Sequence, residues 1–357
     1  MQEQPHVLTL GTAGGPRWWG TTPSGVTRCG ISTAVVVEGK SYIVDFGRGA
    51  STQFQKSGLN IDDVEATFLT HLHSDHTVDL IGFMLFGWMM TDNRMGPIPL
   101  YGPGDRGILP PVNRTADADV EVEPIFDDLP TAGTVDMVSL LLKSHSTDVT
   151  DRMYDLLMPT PYSLWEPHDI KIPAGSGYHP NSNVSPAGLE PFTIFEDDRV
   201  RVTATLVEHP PLAPAFAFRF DTDAGSVTIS GDTAPCENLV RLAEGTDLLL
   251  HEAIDLDGMR EMYLNNPGGE SLEASMQHHY QAHTSPADAA KIATRAGAKK
   301  LALHHLVPGT IGNHIVSAAE AHFPAGVLVP DDGEKIYFGH EKSQTIFRPV
   351  SAAYSAV

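Results

Sequence analysis

The chain has 357 residues, of which 23 are Lys or Arg and 45 are Asp or Glu, a formal net charge of −22 at pH 7. Clustered Lys and Arg bind both nucleic-acid phosphates and anionic membranes, so this charge argues against either partner. The hydrophobic fraction of 41% is typical of a globular protein with a large core, and the longest apolar run, 80–90, is shorter than the roughly 20 residues that span a membrane.

The first residues and the cysteines leave the cellular compartment open. MQEQPHVLTLG lacks the basic start and apolar run of a signal peptide, although such a segment can also be the end left after an export signal is removed. The protein is therefore cytoplasmic, or periplasmic or secreted. Cys29 and Cys236 form no CxxC pair, so they are either free thiols or one bridge. The net charge favours a monomer or a discrete homo-oligomer.

Short β-branched runs bounded by turn residues predict strands along the chain. Residues 33–37 and 42–46 are joined by a Glu-Gly-Lys turn and predict a hairpin. The other runs with this character are 66–70, 200–206, 215–220, 227–230, 248–250, 301–303, 327–329 and 336–338. Strands that pair near both ends of the chain, with helices between them, predict an α+β protein of packed sheets covered by helices.

The clearest helix is predicted over 285–296. Ser285 can cap it, Pro286 suits its first turn, and Gly297 can end it.

Residues 101–197 differ from the rest of the chain. They are rich in Pro, Gly and Asp and hold 16 acidic and 5 basic residues, a net charge of −11 and half that of the whole chain. We interpret them as an acidic insertion or lid on a single domain that spans 1–357. One helix is predicted within it near 135–144, and 154–177 is predicted to be mostly loop.

The densest group of potential metal ligands follows strand 66–70. His71, His73, Asp75 and His76 lie within six residues, and imidazoles with a carboxylate suit Zn²⁺, with Mn²⁺ or Fe as competitors. Such a loop can direct its first two histidines to one metal and the other two side chains to a second. Further ligand types stand at predicted strand ends, namely His209, Asp232, His304 and His305.

These motifs resemble the metallo-β-lactamase superfamily, and most closely its branch of arylsulfatase-like zinc hydrolases and ribonuclease Z. The matching segments are GTAGG (11–15), YIVDFGRG (42–49), FLTHLHSDHTVDL (68–80), VEHPPLAPAFAFRF (207–220), ISGDTAP (229–235), LLLHEA (248–253), HTSPADAAKIA (283–293) and LALHH (301–305). The resemblance covers most of the chain in order, but 101–197 only poorly. It implies an αββα sandwich with a binuclear site, two Zn²⁺, at one edge.

The resemblance also implies how the ligands are shared between the two metals. The first metal would take His71, His73 and His209, the second Asp75, His76 and His305, and Asp232 would bridge them. His304 competes with His305 for the last position, and alignment of the motif favours His305.

Hydrolysis by a hydroxide bridging the two metals is the chemistry that the resemblance implies. Asp75 would orient the water, and His283 would donate a proton to the leaving group, although His283 can also simply pack at the start of its helix. Glu252 and His251 would support the ligands by hydrogen bonds, or form a buried pair at a strand end.

Three tryptophans are candidates for a substrate pocket. Trp18 and Trp19 follow the first glycine turn, and Trp88 follows the ligand motif. Their helical spacing also fits a core role. An apolar cleft suits a small aromatic ester.

Acidity favours a zinc hydrolase that acts on small-molecule esters, namely aryl sulfates, phosphates, carboxylic esters or lactones, and argues against nucleic acid and membrane as partners. The alternatives are a ribonuclease Z-type tRNA 3′ endonuclease and a metal-binding protein without catalysis.

Overall fold

Two mixed β-sheets pack face to face, and helices cover both outer faces. The computed structural model describes residues 3–21, 25, 27–92, 94–113, 122–265, 272–309, 312–339 and 346–347. This arrangement is the αββα sandwich of the metallo-β-lactamase fold, which confirms the predicted fold class. In the described ranges no helix is long and apolar enough to cross a membrane, and both cysteines are free thiols.

The first sheet has an antiparallel half and a parallel half. In the described part of the chain its spatial order is β15 (Ile346–Phe347), β14 (Lys335–Tyr337), β1 (His6–Gly11), β2 (Ser32–Val37), β3 (Lys40–Val44), β4 (Val64–Phe68), β5 (Ile98–Pro103) and β6 (Trp165–Ile170). Strands β3 to β6 run parallel, and the others are antiparallel to their neighbours. The predicted hairpin is confirmed as β2 and β3, with Val37 paired to Lys40.

The second sheet repeats this division. Its order within the described ranges is β13 (Val327–Leu328), β12 (Leu301–Val307), β11 (Leu248–Ile254), β10 (Gly225–Ile229), β9 (Phe216–Thr222), β8 (Arg201–Leu206) and β7 (Phe192–Glu196). Strands β10 to β13 are parallel and β7 to β10 antiparallel. Because the carboxyl ends of the parallel strands from both sheets meet at one edge, loops from distant parts of the sequence come together there.

The helices form the two outer layers. On the first sheet lie α1 (Ala50–Ser57), α3 (Leu80–Met90) and α4 (Thr134–Ser144), and on the second lie α6 (Glu237–Leu242), α9 (Pro286–Ala296) and α10 (Asn313–Glu320). The short helix α2 (Ser74–Thr77) follows β4, α5 (Ser146–Asp155) packs on α4, and α7 (Leu256–Asn265) packs on α8 (Leu272–Ala282). Helix α9 has the predicted limits, with Ser285 Oγ accepting from Asp288 N at 3.2 Å and Gly297 in the left-handed region at its end.

Residues 101–197 contribute to both sheets. The predicted helix near 135–144 is confirmed as α4, but the segment predicted to be mostly loop contains β6, which pairs parallel to β5. Trp165 at the start of β6 is buried. The central residues of β6, Glu-Pro-His-Asp, have no strand-like pattern in the sequence, and the strand is stabilised by its pairing with β5.

Candidate metal centre

The predicted ligands converge at the edge where the parallel strands end. His71 and His73 lie in the loop after β4, Asp75 and His76 in α2, and Asp232 follows β10. Two further ligands come from the second sheet: His209 after β8 and His305 within β12. Six of these seven side chains are buried, and His73 is half-buried.

Three imidazoles form what we call the three-histidine group, His71, His73 and His209. His73 Nδ1 lies 3.1 Å from His71 Nε2 and 3.0 Å from His209 Nε2. Burial, reinforced by the neighbouring imidazoles, lowers the pKa of His71 and His209 well below the ordinary histidine value. At neutral pH these rings are therefore uncharged, which is the form that binds a metal.

The other ligands form what we call the mixed group, Asp75, His76, Asp232 and His305. His305 Nε2 lies 3.1 Å from His76 Nε2, 3.2 Å from Asp232 Oδ1 and 3.3 Å from Asp75 Oδ2. Asp232 lies between the two groups, because its Oδ1 is 3.4 Å from His76 Nε2 while its Oδ2 is 3.8 Å from His71 Nε2.

This donor set fits divalent metal ions. Within each group the ligand atoms all lie within 4.8 Å of one another, and imidazole with carboxylate is a donor set that Zn²⁺ prefers. Burial disfavours a charged His76, yet Asp232, Asp45 and Asp75 outweigh it and raise its pKa well above the ordinary value. The mixed group therefore favours a positive charge at its centre, which a metal ion supplies.

Buried partners orient the ligand rings from behind. Asp45 Oδ2 lies 2.8 Å from His76 Nδ1, and both oxygens of Asp45 accept hydrogen bonds from Thr70. His209 Nδ1 lies 2.8 Å from the carbonyl oxygen of Ala282. Such partners fix the ring orientation and free the opposite nitrogen for a metal. Sequence reasoning missed Asp45, although an acidic residue at the end of the apolar run YIVDF is a usable signal.

A β-bulge selects His305 rather than His304. The pairing of β11 with β12 shifts after Glu252 and His304, so that Ala253 pairs with Leu306, and His305 adopts a φ of 47°. The extra residue turns the His305 side chain to the ligand cluster. His304 is buried and belongs to neither group.

His283 and Glu252 form a buried pair beside the mixed group. His283 Nδ1 lies 3.0 Å from Glu252 Oε1 and 3.9 Å from Asp232 Oδ2. Burial disfavours the imidazolium, but the Glu252 carboxylate outweighs it and raises the pKa of His283 to about 9. Glu252 Oε1 also accepts from the backbone N–H of Thr233, next to Asp232.

His251 is fully buried, and its Nδ1 lies 2.8 Å from the Glu252 carbonyl oxygen. Because adjacent strand residues point to opposite faces, it lies away from the ligands that its neighbour supports.

Two cavities of similar size flank the centre. The first, which we call the α8 cavity, has a volume of about 420 Å³ and reaches Asp75, Asp232, His283 and Trp19. The second, the proline cavity, has about 410 Å³ and is lined by Leu72, His73, Arg106 and prolines. His73 lines both, so the three-histidine group lies between them.

Two of the three predicted pocket tryptophans lie near the centre. Trp19 donates from Nε1 to the Gly14 carbonyl oxygen at 2.6 Å and lines the α8 cavity, and Trp18 is 89% exposed at a smaller neighbouring cavity. Trp88 does not line either cavity, so its prediction as a pocket residue is corrected. It is 1% exposed in the core beneath α3 and donates from Nε1 to the Pro159 carbonyl oxygen.

Two further histidines on α8 line the cavity and were missed by sequence reasoning. His278 and His279 lie close to His283, with ring centroids 5.5 and 5.7 Å from its ring. The sequence HHYQAH (278–283) contains a usable signal, because His279 and His283 have the i, i+4 spacing that places two residues on one helix face.

Comparison with known proteins agrees with this geometry. Residues 26–130 match the model of the metallo-beta-lactamase superfamily. These residues are therefore similar to a metallo-β-lactamase superfamily domain. A protein named Ribonuclease Z from Mycobacterium sp. (strain KMS) is 28% identical over 338 residues, 93% of this chain and 95% of its own. Another of that name, from Mycolicibacterium gilvum (strain PYR-GCK), is 28% identical over 285 residues, 79% of each chain.

The solved structures with a fold similar to that of this chain include the short form of human tRNase Z. It has a TM-score of 0.58 and 20% identity, with 94% of this chain and 100% of that chain covered. At this identity the likeness shows the fold alone, in agreement with the two layered sheets.

The comparisons contradict our prediction that the substrate is a small-molecule ester rather than a nucleic acid. The relatives that align over most of this chain are named Ribonuclease Z, so that prediction was wrong, and the arylsulfatase-like assignment lacks support. The broader prediction of a metal-dependent hydrolase of the metallo-β-lactamase superfamily agrees with the matched domain and the His/Asp groups.

Proposed function

We propose that this protein is a metal-dependent endoribonuclease of the ribonuclease Z type, which cleaves precursor tRNA at its 3′ side. The observation that carries the proposal is the similarity to proteins named Ribonuclease Z over 338 residues, 93% of this chain. An alignment over 93% of this chain extends well beyond the ligand motif at 71–76.

Local positive charge supports this proposal despite the net charge of −22. Three arginines line the cavities around the centre: Arg17 the α8 cavity, Arg106 the proline cavity, and Arg48 the small cavity beside Trp18. Arginine pairs well with phosphate oxygens. The net charge is a sum over the whole chain, whereas the charges nearest to a scissile phosphate are those at the cavity mouths. The net charge is therefore a poor guide to whether the centre can bind RNA.

The three-histidine group would hold one metal ion and the mixed group the other, with Asp232 contacting both. We propose Zn²⁺ on the basis of the imidazole and carboxylate donors, with Mn²⁺ or Fe as competitors. Bound divalent ions polarise a phosphoryl oxygen and lower the pKa of water.

The proposed proton donor is His283. Glu252 Oε1 lies 3.0 Å from His283 Nδ1 and fixes the ring, so that Nε2 is the nitrogen available for the leaving oxygen of the RNA. Because the pKa of His283 is about 9, the ring carries a proton at neutral pH before a substrate binds. Asp75 Oδ2 accepts from the Gly15 backbone N–H at 2.8 Å, which orients this carboxylate for its proposed role in positioning the attacking water.

The two cavities match the two sides of a scissile bond. Each has a volume of about 410 to 420 Å³, and since His73 lies between them, an RNA strand that crosses the centre places one nucleotide in each. At the α8 cavity, Arg17 Cζ lies 5.3 Å from the centroid of the Tyr263 ring. An aromatic ring next to a cation can stack on a base and bind its phosphate.

The experiment is cleavage of a precursor tRNA with a 3′ extension by the purified protein loaded with two equivalents of Zn²⁺. We expect a discrete cleavage product, whose formation is abolished by Asp232→Ala and preserved by Asp223→Ala. Asp223 lies exposed in the turn between β9 and β10, which makes it a matched control for the loss of one carboxylate.

Absence of cleavage by protein that retains both metal equivalents would contradict the proposal. Equal rates for Asp232→Ala and the unmodified protein would do so as well, because they would point to a contaminating nuclease.

A further inference from the structure

A second concentration of imidazoles lies on the wall of the α8 cavity. We define His278, His279 and His283 as the outer histidine cluster; one nitrogen from each ring lies within 4.8 Å of the other two. His278 and His279 belong to neither the three-histidine group nor the mixed group, and the proposed cleavage of RNA uses neither of them.

Helix geometry brings the three rings together. His279 and His283 are four residues apart, and the helical hydrogen bond from His283 N to His279 O, at 3.1 Å, places them on one face. His278 immediately precedes His279 in α8, and its ring centroid lies 5.7 Å from that of His279 and 5.5 Å from that of His283. An i, i+4 histidine pair on a helix is a spacing that binds zinc.

Each ring has one nitrogen engaged by a partner. His279 Nε2 lies 3.0 Å from the Tyr263 hydroxyl, His283 Nδ1 lies 3.0 Å from Glu252, and His278 hydrogen-bonds to the backbone of Pro210. This is the pattern of metal-bound histidines, in which a partner on one nitrogen orients the ring and leaves the other for the metal. The free atom of His279, Nδ1, is buried and has no hydrogen-bond partner in the described part of the chain.

We propose that the outer histidine cluster is a third metal site, with Zn²⁺ as the favoured ion. Three neutral nitrogen ligands suit zinc and leave one coordination position open to water or substrate. The ion must displace a proton from His283 into the solvent, and the site has no carboxylate, so we expect it to bind more weakly than the mixed group and to fill only at excess metal.

Occupation of this third site has a consequence for His283. A metal on His283 Nε2 removes the only nitrogen that Glu252 leaves free, and with it the proton that this ring would donate. Excess Zn²⁺ is therefore expected to inhibit the enzyme. This consequence depends on the proposed function, whereas the binding of the third ion does not.

The first measurement is a metal count. Equilibrium dialysis at increasing free Zn²⁺, followed by elemental analysis, should give two tight equivalents and a weaker third. His278→Ala and His279→Ala should each lose the third equivalent and retain the first two, which also shows that the variants are folded around the main centre. His145→Ala, which removes an exposed histidine between α4 and α5, should retain all three.

The proposal is overturned if the unmodified protein stops at two equivalents, or if a third equivalent persists in both His278→Ala and His279→Ala. Tyr263→Phe offers a graded test, because it removes a ring partner and keeps every ligand; we expect an affinity for the third ion that is lower by about 10-fold or more. An unchanged affinity would remove Tyr263 from the site.

The second measurement is inhibition of precursor cleavage by excess Zn²⁺, with each variant normalised to its own rate at two equivalents. Half-inhibition should need at least about 10-fold more Zn²⁺ in His279→Ala than in the unmodified protein. Equal inhibition of His279→Ala and the unmodified protein would show that the third ion does not inhibit through His283. If no RNA is cleaved at all, the proposed function fails, and the metal count still decides whether the third site exists.

Discussion

The two sides of the metal centre are built in different ways. On the strand-edge side, His76 and His209 are buried and each is fixed from behind, by Asp45 and by the Ala282 carbonyl oxygen. On the side formed by α7 and α8, Tyr263 and His279 are only half-buried and hold each other through one hydrogen bond. The strand ends thus fix the ligands rigidly, while the helices form an adaptable wall for substrate.

This division explains how one fold serves different reactions. Ligands at the ends of paired strands keep their positions as long as the sheets persist, whereas a helical wall can change without disturbing them. Substitutions on the helical side should therefore alter the rate and leave the two tight metal equivalents intact, whereas substitutions behind the strand ends should lower the affinity for those two ions.

The largest effect is expected on the helical side. His283→Ala should lower the rate of precursor cleavage by about 10²- to 10⁴-fold, the usual contribution of a general acid, because no other described side chain is hydrogen-bonded to Glu252 Oε1. Elemental analysis should still find two tight equivalents. Loss of a tight equivalent in this variant would show that the two sides are not separate.

A smaller effect is expected behind the strand ends. Asp45→Asn keeps an oxygen for Thr70 but replaces the acceptor that faces His76 Nδ1, so we expect metal affinity to fall by about 10- to 100-fold. Competition with a chelator measures this, and saturating metal should restore the rate. Asp63→Asn, which changes a half-exposed carboxylate beside Lys40, is the matched control and should bind metal normally.

The smallest effect on activity is expected from Trp88→Ala, because Trp88 belongs to neither the strand-edge side nor the helical side of the metal centre. Truncation of this buried side chain should lower the free energy of unfolding by about 3–5 kcal/mol, measured by denaturant titration of the metal-loaded protein. Its rate and metal content below the unfolding transition should stay normal. Trp18→Ala, at a side chain 89% exposed, should change stability by less than about 0.5 kcal/mol.

The sequence predicted best where a local pattern determines the outcome. Most strands of the sandwich were found because their β-branched runs are buried on both faces, and α9 because its cap residues, Ser285 and Gly297, have local effects. Strand β6 was missed because its polar residues form a strand only next to β5. The face of α3 that holds Trp88 could not be predicted, since LIGFMLFGWMM is apolar on every side and contains no amphipathic signal.

The candidate site was predictable for its ligand types but less so for its surroundings. The close spacing of His71, His73, Asp75 and His76 predicts a metal-binding loop without knowledge of the fold. The choice between His304 and His305 depends on a bulge that the pairing of β11 with β12 creates. Asp45 and the outer histidine cluster come from segments far from the motif, and their proximity to it is a property of the assembled sheets.

The convergence of nitrogen atoms in the three-histidine group also bears on folding. His73 Nδ1 lies within 3.1 Å of two other ring nitrogens, and neutral rings cannot satisfy three such atoms with protons alone. A cation would remove that conflict only in the folded chain, so the proposed metal would act as a folding ligand and add about 4 kcal/mol of stability at a free concentration 1,000 times its Kd. Metal supply would then set how much of this protein persists, as well as how fast it works.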